Sequence, residues 1–76
     1  MKMITLNQAK GLTVGQTIYH NVHKNADGSP QRWRVSGMVK TWKRSPNRLR
    51  VPIKHGLYEN GYLDWGNLHD FRLTEE

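Results

Sequence analysis

The sequence predicts a mainly β protein, folded as one small and strongly bent antiparallel barrel of five strands. Three observations favour this class. Apolar and charged residues alternate over short runs, as they do in half-buried strands. Turn-forming residues separate these runs, and a glycine interrupts the longest of them, which often marks a sharp bend. Closing the sheet would also remove exposed edges, which otherwise favour aggregation.

The composition limits the classes of protein that need to be considered. The chain has 76 residues, of which 36% are hydrophobic, so we expect a single domain over residues 1–76 with a compact core. Cysteine is absent, which excludes disulfides and cysteine-bound zinc. No apolar run approaches the ~20 residues of a membrane span, and the first residues do not resemble a secretory signal. We therefore expect a cytoplasmic protein with no membrane partner.

The first predicted element is a short helical turn. Thr5 and Gln8 have the spacing of a capping box, in which each side chain bonds the other residue's backbone N–H. Gly11 suits the left-handed position that often follows a helix. The pattern predicts about one turn of helix at Leu6–Lys10, which is too short to be stable unless it packs on another element.

The next two predicted strands are Gln16–His20 and Gln31–Trp42, separated by a polar loop that ends at Pro30. In the second strand Trp33 alternates with charged neighbours, which is typical of a sheet with one buried face. Gly37 lies inside this strand and predicts its bend or bulge.

The third large strand is predicted at Arg48–Lys54, after a turn over Lys43–Asn47. Its odd-numbered residues are apolar and its even-numbered residues are mostly basic. Pro52 has no N–H to donate, which indicates an edge position or a bulge.

Three signals cover the end of the chain. Asn60-Gly61 is a strong two-residue hairpin sequence, Asp64–His69 favours a 3-10 turn capped by Asp64, and Phe71–Leu73 is a short last strand. The predicted core consists of Leu12, Val14, Ile18, Trp33, Val35, Val39, Leu49, Val51, Ile53, Leu63, Leu68, Phe71 and Leu73.

Charge is distributed unevenly along the chain. The formal net charge is +6, but residues 32–54 carry eight Lys and Arg and no acidic residue, whereas residues 55–76 sum to −4. Such a block of one sign produces a directional field that attracts polyanions. A solvated basic surface that only aids solubility is the alternative.

The alternation in two strands predicts a basic face. It places Arg32 and Arg34 on one side of their strand and Arg48, Arg50 and Lys54 on one side of another. Like charges on neighbouring strands repel, so this arrangement favours a partner that compensates them, and arginine suits phosphate. The candidate nucleic-acid-binding residues are Arg32, Arg34, Lys40, Trp42, Lys43, Arg44, Arg48, Arg50 and Lys54.

Aromatic residues near the turns add a second candidate interaction. Trp42, Tyr58 and Tyr62 fall close to predicted turns, where exposed rings could stack on unpaired bases. Packing in the core or at its rim is the alternative for each of them, and it is the expectation for Trp33 and Trp65.

Catalytic and metal-binding patterns are not recognisable. His20 and His23 are three residues apart, but they lie in a strand and loop pattern, so we expect no metal site. The serines lack an elbow sequence, the acids are scattered, and no phosphate-binding glycine loop is present. We expect neither a cofactor nor enzymatic activity.

The architecture resembles the SH3-like small barrels. The resemblance rests on Gly15–Ile18 entering the first strand, the bent strand Arg32–Trp42, the strand Arg48–Lys54, and the turn and strand Trp65–Leu73. The stretches RWRVSGMVKTWKR and RVPIKHGLYENGYL also resemble small uncharacterised proteins of tailed bacteriophages. That second resemblance implies an accessory phage protein acting in the bacterial cytoplasm.

Three functions are consistent with these patterns. The first is a non-catalytic nucleic-acid-binding barrel that contacts mainly backbone phosphates, with low sequence specificity. The second is a protein-interaction module, such as a phage factor that docks on an acidic surface of a host protein. The third is a homo-oligomer in which the acidic residues 59–76 of one copy neutralise the basic face of another.

Overall fold

A computed structural model describes residues 3–75 and shows a mainly β protein: six antiparallel strands in one sheet, a short helix and a 3-10 turn. The elements are α1 (Leu6–Lys10), β1 (Thr17–Lys24), β2 (Pro30–Val35), β3 (Lys40–Trp42), β4 (Ser45–His55), β5 (Glu59–Asp64), the 3-10 turn (Leu68–Asp70) and β6 (Phe71–Arg72). Within the described residues, neither helical segment is long and apolar enough to cross a membrane.

Strand β4 organises the sheet. One edge of β4 pairs with β5 from Arg50 to His55, so β2 and β3, which both pair with β4, follow one another along its opposite edge. On the far side of β2 the order continues through β1 to β6. Six strands are present rather than five, because the predicted strand Gln31–Trp42 is interrupted at residues 36–39. The pairing found among residues 3–75 does not close the sheet.

The interruption depends on a close contact between Gly37 and Pro52. A Cβ atom on Gly37 would lie 2.9 Å from the Pro52 Cγ, so any other residue at this position would force the backbone or the proline ring to shift. The Ser36 N–H donates to the Pro52 carbonyl over 2.8 Å. Because the N–H and C=O of a strand residue point to the same side, the N–H that proline lacks would face this interruption. Pro52 therefore lies inside the sheet, at an irregularity and not at an edge.

Helix α1 begins at the predicted capping box. The Gln8 N–H donates to the Thr5 Oγ1 over 3.2 Å, and the Thr5 N–H donates to the Gln8 Oε1 over 2.9 Å. Gly11 ends the helix with a φ of −93°, so the expected left-handed conformation is not adopted. The helix packs through the buried Ala9, and the buried Ile4 just before it donates its N–H to the Phe71 carbonyl over 3.0 Å.

The turn between β4 and β5 lies earlier than the Asn60-Gly61 sequence indicated. It covers residues 56–58, where Gly56 has a φ of +67°, a conformation that side chains disfavour. Asn60 and Gly61 lie inside β5. A Cβ atom on Gly61 would lie 3.3 Å from the Trp33 ring, so this glycine makes room for an indole.

The ends of two other predicted elements also differ from the structure. Strand β1 continues to Lys24, beyond the expected end at His20. The Asp64 carboxylate accepts the Gly66 N–H over 2.8 Å, so it caps the turn at residues 65–67 that precedes the 3-10 segment.

The core contains most of the predicted residues, with a few differences. The buried hydrophobic residues are Ile4, Ala9, Leu12, Ile18, Trp33, Val35, Leu49, Val51, Ile53, Leu63, Leu68 and Phe71. Val39 and Leu73 are only partly buried. Val14 was expected in the core but is 61% exposed, because it lies in the loop before β1.

Candidate nucleic-acid interface

The pairing of β2 with β4 brings cations from two strands together. Arg34 lies opposite Lys54, and Arg32 is two residues before Arg34 on the same side of β2. Trp33, which lies between Arg32 and Arg34, is buried in the core, and so is Ile53, the residue before Lys54. Side chains alternate between the two faces of a strand, so these exposed cations lie on the outer face of the sheet.

The other cations lie further along β4, beside β3. Lys40 is opposite Arg50, and Arg48 is two residues before Arg50 on the same exposed side of β4. Arg48 and Arg50 were expected beside the arginines of β2, but the interruption after Val35 places β3 there instead. We define the basic face as the exposed cations of these three strands: Arg32, Arg34, Lys40, Arg48, Arg50 and Lys54.

Lys43 and Arg44 form the turn between β3 and β4 and are exposed. They extend the row of cations beyond the end of the paired strands. The turn is shorter than predicted, because Ser45, Pro46 and Asn47 already belong to β4.

A groove of about 540 Å³ lies at the β2 end of the basic face. Its walls carry the side chains of Arg32, Arg34 and Lys54, with Thr17 and Leu57 beside them. Thr17 is opposite Arg34 on β1, so three adjacent strands contribute hydrogen-bond donors to one concave surface. The shape and charge of this groove suit an anion.

At the other end of the basic face, three cations lie over aromatic rings. The Arg50 Cζ is 5.0 Å from the ring centroid of Tyr62, the Arg48 Cζ is 5.1 Å from that of Trp65, and the Lys40 Nζ is 5.4 Å from that of Trp42. These distances are within the range of cation–π attraction. We call Trp42, Tyr62 and Trp65 the aromatic cluster.

The aromatic cluster is largely accessible to solvent. Trp65 is 44% exposed, so the expectation that it belongs to the core is wrong, and Tyr62 is 55% exposed. Trp42 is half-buried and meets Trp65 edge to face at 6.1 Å. Trp65 is at the surface because it lies in the turn after β5, and the sequence showed this only through the neighbouring Gly66.

Along the described part of the chain, no acidic side chain forms an ion pair with a cation of the basic face. Within residues 3–75 the one ion pair joins His69 to Asp70, at 3.3 Å. Asp64 is opposite Arg50 in the β4–β5 register, yet the two side chains do not approach within ion-pair distance. In the same part of the chain, the guanidinium groups of the four arginines on β2 and β4 donate no hydrogen bond to the protein.

His20 occupies a different region and has a structural role that the sequence analysis did not predict. Its Nδ1 accepts the N–H groups of Val22 and His23, each over 3.0 Å, and its ring lies 4.8 Å from that of Phe71. Burial lowers the pKa of His20, the nearby His23 lowers it further, and the Asp70 carboxylate opposes both effects. Its burial was detectable in the sequence, because His20 shares the period-2 face of Ile18.

His20 and His23 line a cavity of about 320 Å³ with Trp33, Glu59 and Asp70. Across residues 3–75, no three His, Asp or Glu side chains are grouped so that they could hold a metal ion.

Comparison of the chain with protein-family models, with curated proteins and with solved structures gives no match. The function is therefore inferred from the geometry of the basic face and the aromatic cluster.

Proposed function

We propose that this protein binds nucleic acid without catalysis, mainly through the backbone phosphates and with low sequence specificity. The observation that carries this proposal is the basic face: six exposed cations on three adjoining strands, with no carboxylate of residues 3–75 in ion-pair contact with any of them. Contacts of this kind supply affinity and register, but they do not read base sequence.

The energetics of the sheet support the same conclusion. Arg34 is directly opposite Lys54, and Lys40 is directly opposite Arg50. Like charges in such cross-strand positions destabilise a sheet. A polyanion removes this repulsion on binding, and arginine forms paired hydrogen bonds with phosphate oxygens. The basic face is thus costly in the free protein and favourable in a complex.

We also propose that the sheet belongs to the SH3-like class of small barrels. In this interpretation β2 and β3 are the two halves of one strongly bent strand, which reduces the six strands to five. The 3-10 turn immediately before the last strand, and the pairing of that strand with β1, support this interpretation. On the sequence resemblance alone, we further propose an accessory role in phage infection, in the cytoplasm of a bacterial host.

The experiment that tests nucleic-acid binding is an electrophoretic shift assay at two salt concentrations. Binding to duplex DNA should weaken with salt, with a log–log slope of about −4 if about five phosphates are contacted. The triple variant R34A/R48A/R50A should lose binding. Its thermal unfolding should stay cooperative, because all three side chains are exposed. Retention of wild-type affinity by a folded triple variant would contradict the proposal.

A protein-interaction module is the second candidate, and one observation favours it. Leu57 and Tyr58, in the turn between β4 and β5, are 86% and 92% exposed, and Leu57 also lines the groove beside Arg34. An apolar side chain next to cations could anchor an acidic protein surface. A partner that remains bound after nuclease treatment, and that is lost in the variant L57S, would favour this function over the first.

A further inference from the structure

We propose that the nucleic acid bound by this protein is single-stranded, and that its unpaired bases stack on the guanidinium and ring planes of the aromatic cluster. This inference rests on the proposed function, and it adds the class of nucleic acid and the residues that select it.

The geometry places three cation–aromatic pairs in one region of the surface. Arg48 lies over Trp65, Arg50 over Tyr62 and Lys40 over Trp42. Trp65 also touches Trp42 edge to face. All three rings come from segments next to the same half of β4: β3, β5 and the turn that follows β5. The region therefore presents flat side chains and positive charge together.

The arginines are essential to this argument, because a guanidinium group is itself a flat stacking surface. Arg48 and Arg50 are exposed and their guanidinium groups donate no hydrogen bond to residues 3–75, so both groups are available to a ligand. A base can stack on such a plane while the guanidinium edge donates to a phosphate. Lysine provides the charge but no plane.

This combination favours a single strand over a duplex. In a duplex the base faces are already stacked on one another, so only base edges and phosphates are accessible to a protein surface. Surfaces that bind single strands combine cations for the backbone with aromatic groups for the bases. The aromatic cluster has this composition, whereas a duplex would leave Tyr62 and Trp65 unused.

The two ends of the basic face have complementary roles in this proposal. From Arg48 to Lys54 the strand β4 extends about 20 Å, at ~3.3 Å for each residue. The aromatic cluster lies at one end of this distance, and the groove of Arg34 and Lys54 lies at the other. Bases bind at the first end, and the following phosphates occupy the groove.

The test compares the affinities of three probes at one salt concentration: a single strand of about 12 nucleotides, the duplex of the same sequence, and a single strand of the same length without bases. We expect the single strand to bind about 10-fold more tightly than the other two. The variant Y62L/W65L should lose at least about 5-fold in affinity for the single strand, since stacking contributes about 1–3 kcal/mol for each base. Its affinity for the duplex should stay within about 2-fold.

Three further variants make the test more specific. Y58L removes an exposed aromatic ring outside the cluster and should not change the preference for the single strand. R48K/R50K keeps the charge but removes both guanidinium planes, so it should reduce binding of the single strand selectively. R32K/R34K is the matched change in the groove, and it should weaken the binding of the single strand and of the duplex equally. R48K/R50K alters only exposed side chains, so it also serves if Y62L/W65L unfolds.

The possible results separate this inference from the proposed function. Equal or tighter binding of the duplex by the wild type, or unchanged binding of the single strand by folded Y62L/W65L and R48K/R50K, would overturn the inference. In that case, loss of duplex binding in R34A/R48A/R50A would still support the proposed function. No binding of any probe at low salt would overturn both.

Discussion

Arg72 and the arginines of β4 show two different uses of the same side chain. Arg72 donates over 2.8 Å to the Asn21 Oδ1, and over 2.9 and 2.6 Å to the carbonyls of Thr74 and Glu75. It thereby holds β1 against the residues that follow β6. Arg48 and Arg50 bond no group of the described chain and lie over aromatic rings.

The difference separates the part of the molecule that stabilises the fold from the part that is available to a partner. Holding the Arg72 side chain in one conformation costs entropy. Hydrogen bonds within the chain compensate this cost, and they are strong because the donor is charged. The basic face has no such compensation and includes two like-charged cross-strand pairs. Its arginines therefore contribute little to stability, and the binding that we propose would account for their placement.

The largest effect that we predict is on stability, at Arg72. Replacement by alanine removes three short hydrogen bonds and leaves carbonyl groups without their donor, so R72A should lose about 2 kcal/mol in free energy of unfolding. R50A removes a guanidinium that donates no hydrogen bond to residues 3–75. Its attraction to the Tyr62 ring is opposed by repulsion from Lys40 across the strands, so R50A should change stability by no more than about 0.5 kcal/mol. Urea denaturation monitored by tryptophan fluorescence measures both values. Equal losses in the two variants would show that the two regions do not differ as described.

The second prediction concerns His20, which belongs to the same stabilising region as Arg72. Its Nδ1 accepts two backbone N–H groups, so protonation at that atom removes both hydrogen bonds. Because the pKa of His20 is lower in the folded protein, the unfolded chain binds the proton more readily. The contribution of His20 is therefore complete above its ordinary pKa of 6.5 and is lost as the pH falls below that value.

The variant H20N isolates this effect, because the asparagine Oδ1 can accept N–H groups two and three residues ahead but does not titrate. We expect the melting temperature of the wild type to fall further between pH 7.5 and pH 5 than that of H20N. A parallel decrease in both proteins would place the pH dependence elsewhere. His23 and Asp70, the titratable neighbours of His20, are retained in both proteins.

Local patterns in the sequence predicted much of the fold, because local interactions determine those parts. The Thr5–Gln8 capping box formed as expected, since both partners lie within one turn of the chain. The Asn60-Gly61 sequence gave a wrong prediction for the opposite reason: Gly61 leaves room for the indole of Trp33, a residue 28 positions away in the sequence. A local sequence pattern cannot predict contacts between residues so far apart.

In the candidate site, too, local patterns predicted some features and missed those that depend on distant contacts. Alternation predicted that the cations of β2 and β4 face outward, because a strand has a fixed period. It could not predict that β3 rather than β2 would lie beside Arg50, since that depends on where the chain is interrupted next to Pro52. The pairing of arginines with Tyr62 and Trp65 depends on the register of β4 with β5 and the turn beyond, and single residues carry no sign of it.

A smaller effect on stability than that of R72A is predicted at Lys54, where stability and binding should change in opposite directions. The variant K54E places a carboxylate opposite Arg34, so a cross-strand repulsion becomes an attraction and stability should increase by about 0.5 kcal/mol at low salt. The gain should shrink as added salt screens the exposed pair. The same change removes a cation from the groove, so nucleic-acid affinity should fall. K10E alters the net charge equally but lies on α1, outside the basic face, and should leave affinity nearly unchanged. If K54E is less stable than the wild type, or if K10E weakens binding as much, the basic face does not act as a defined surface and net charge alone accounts for binding.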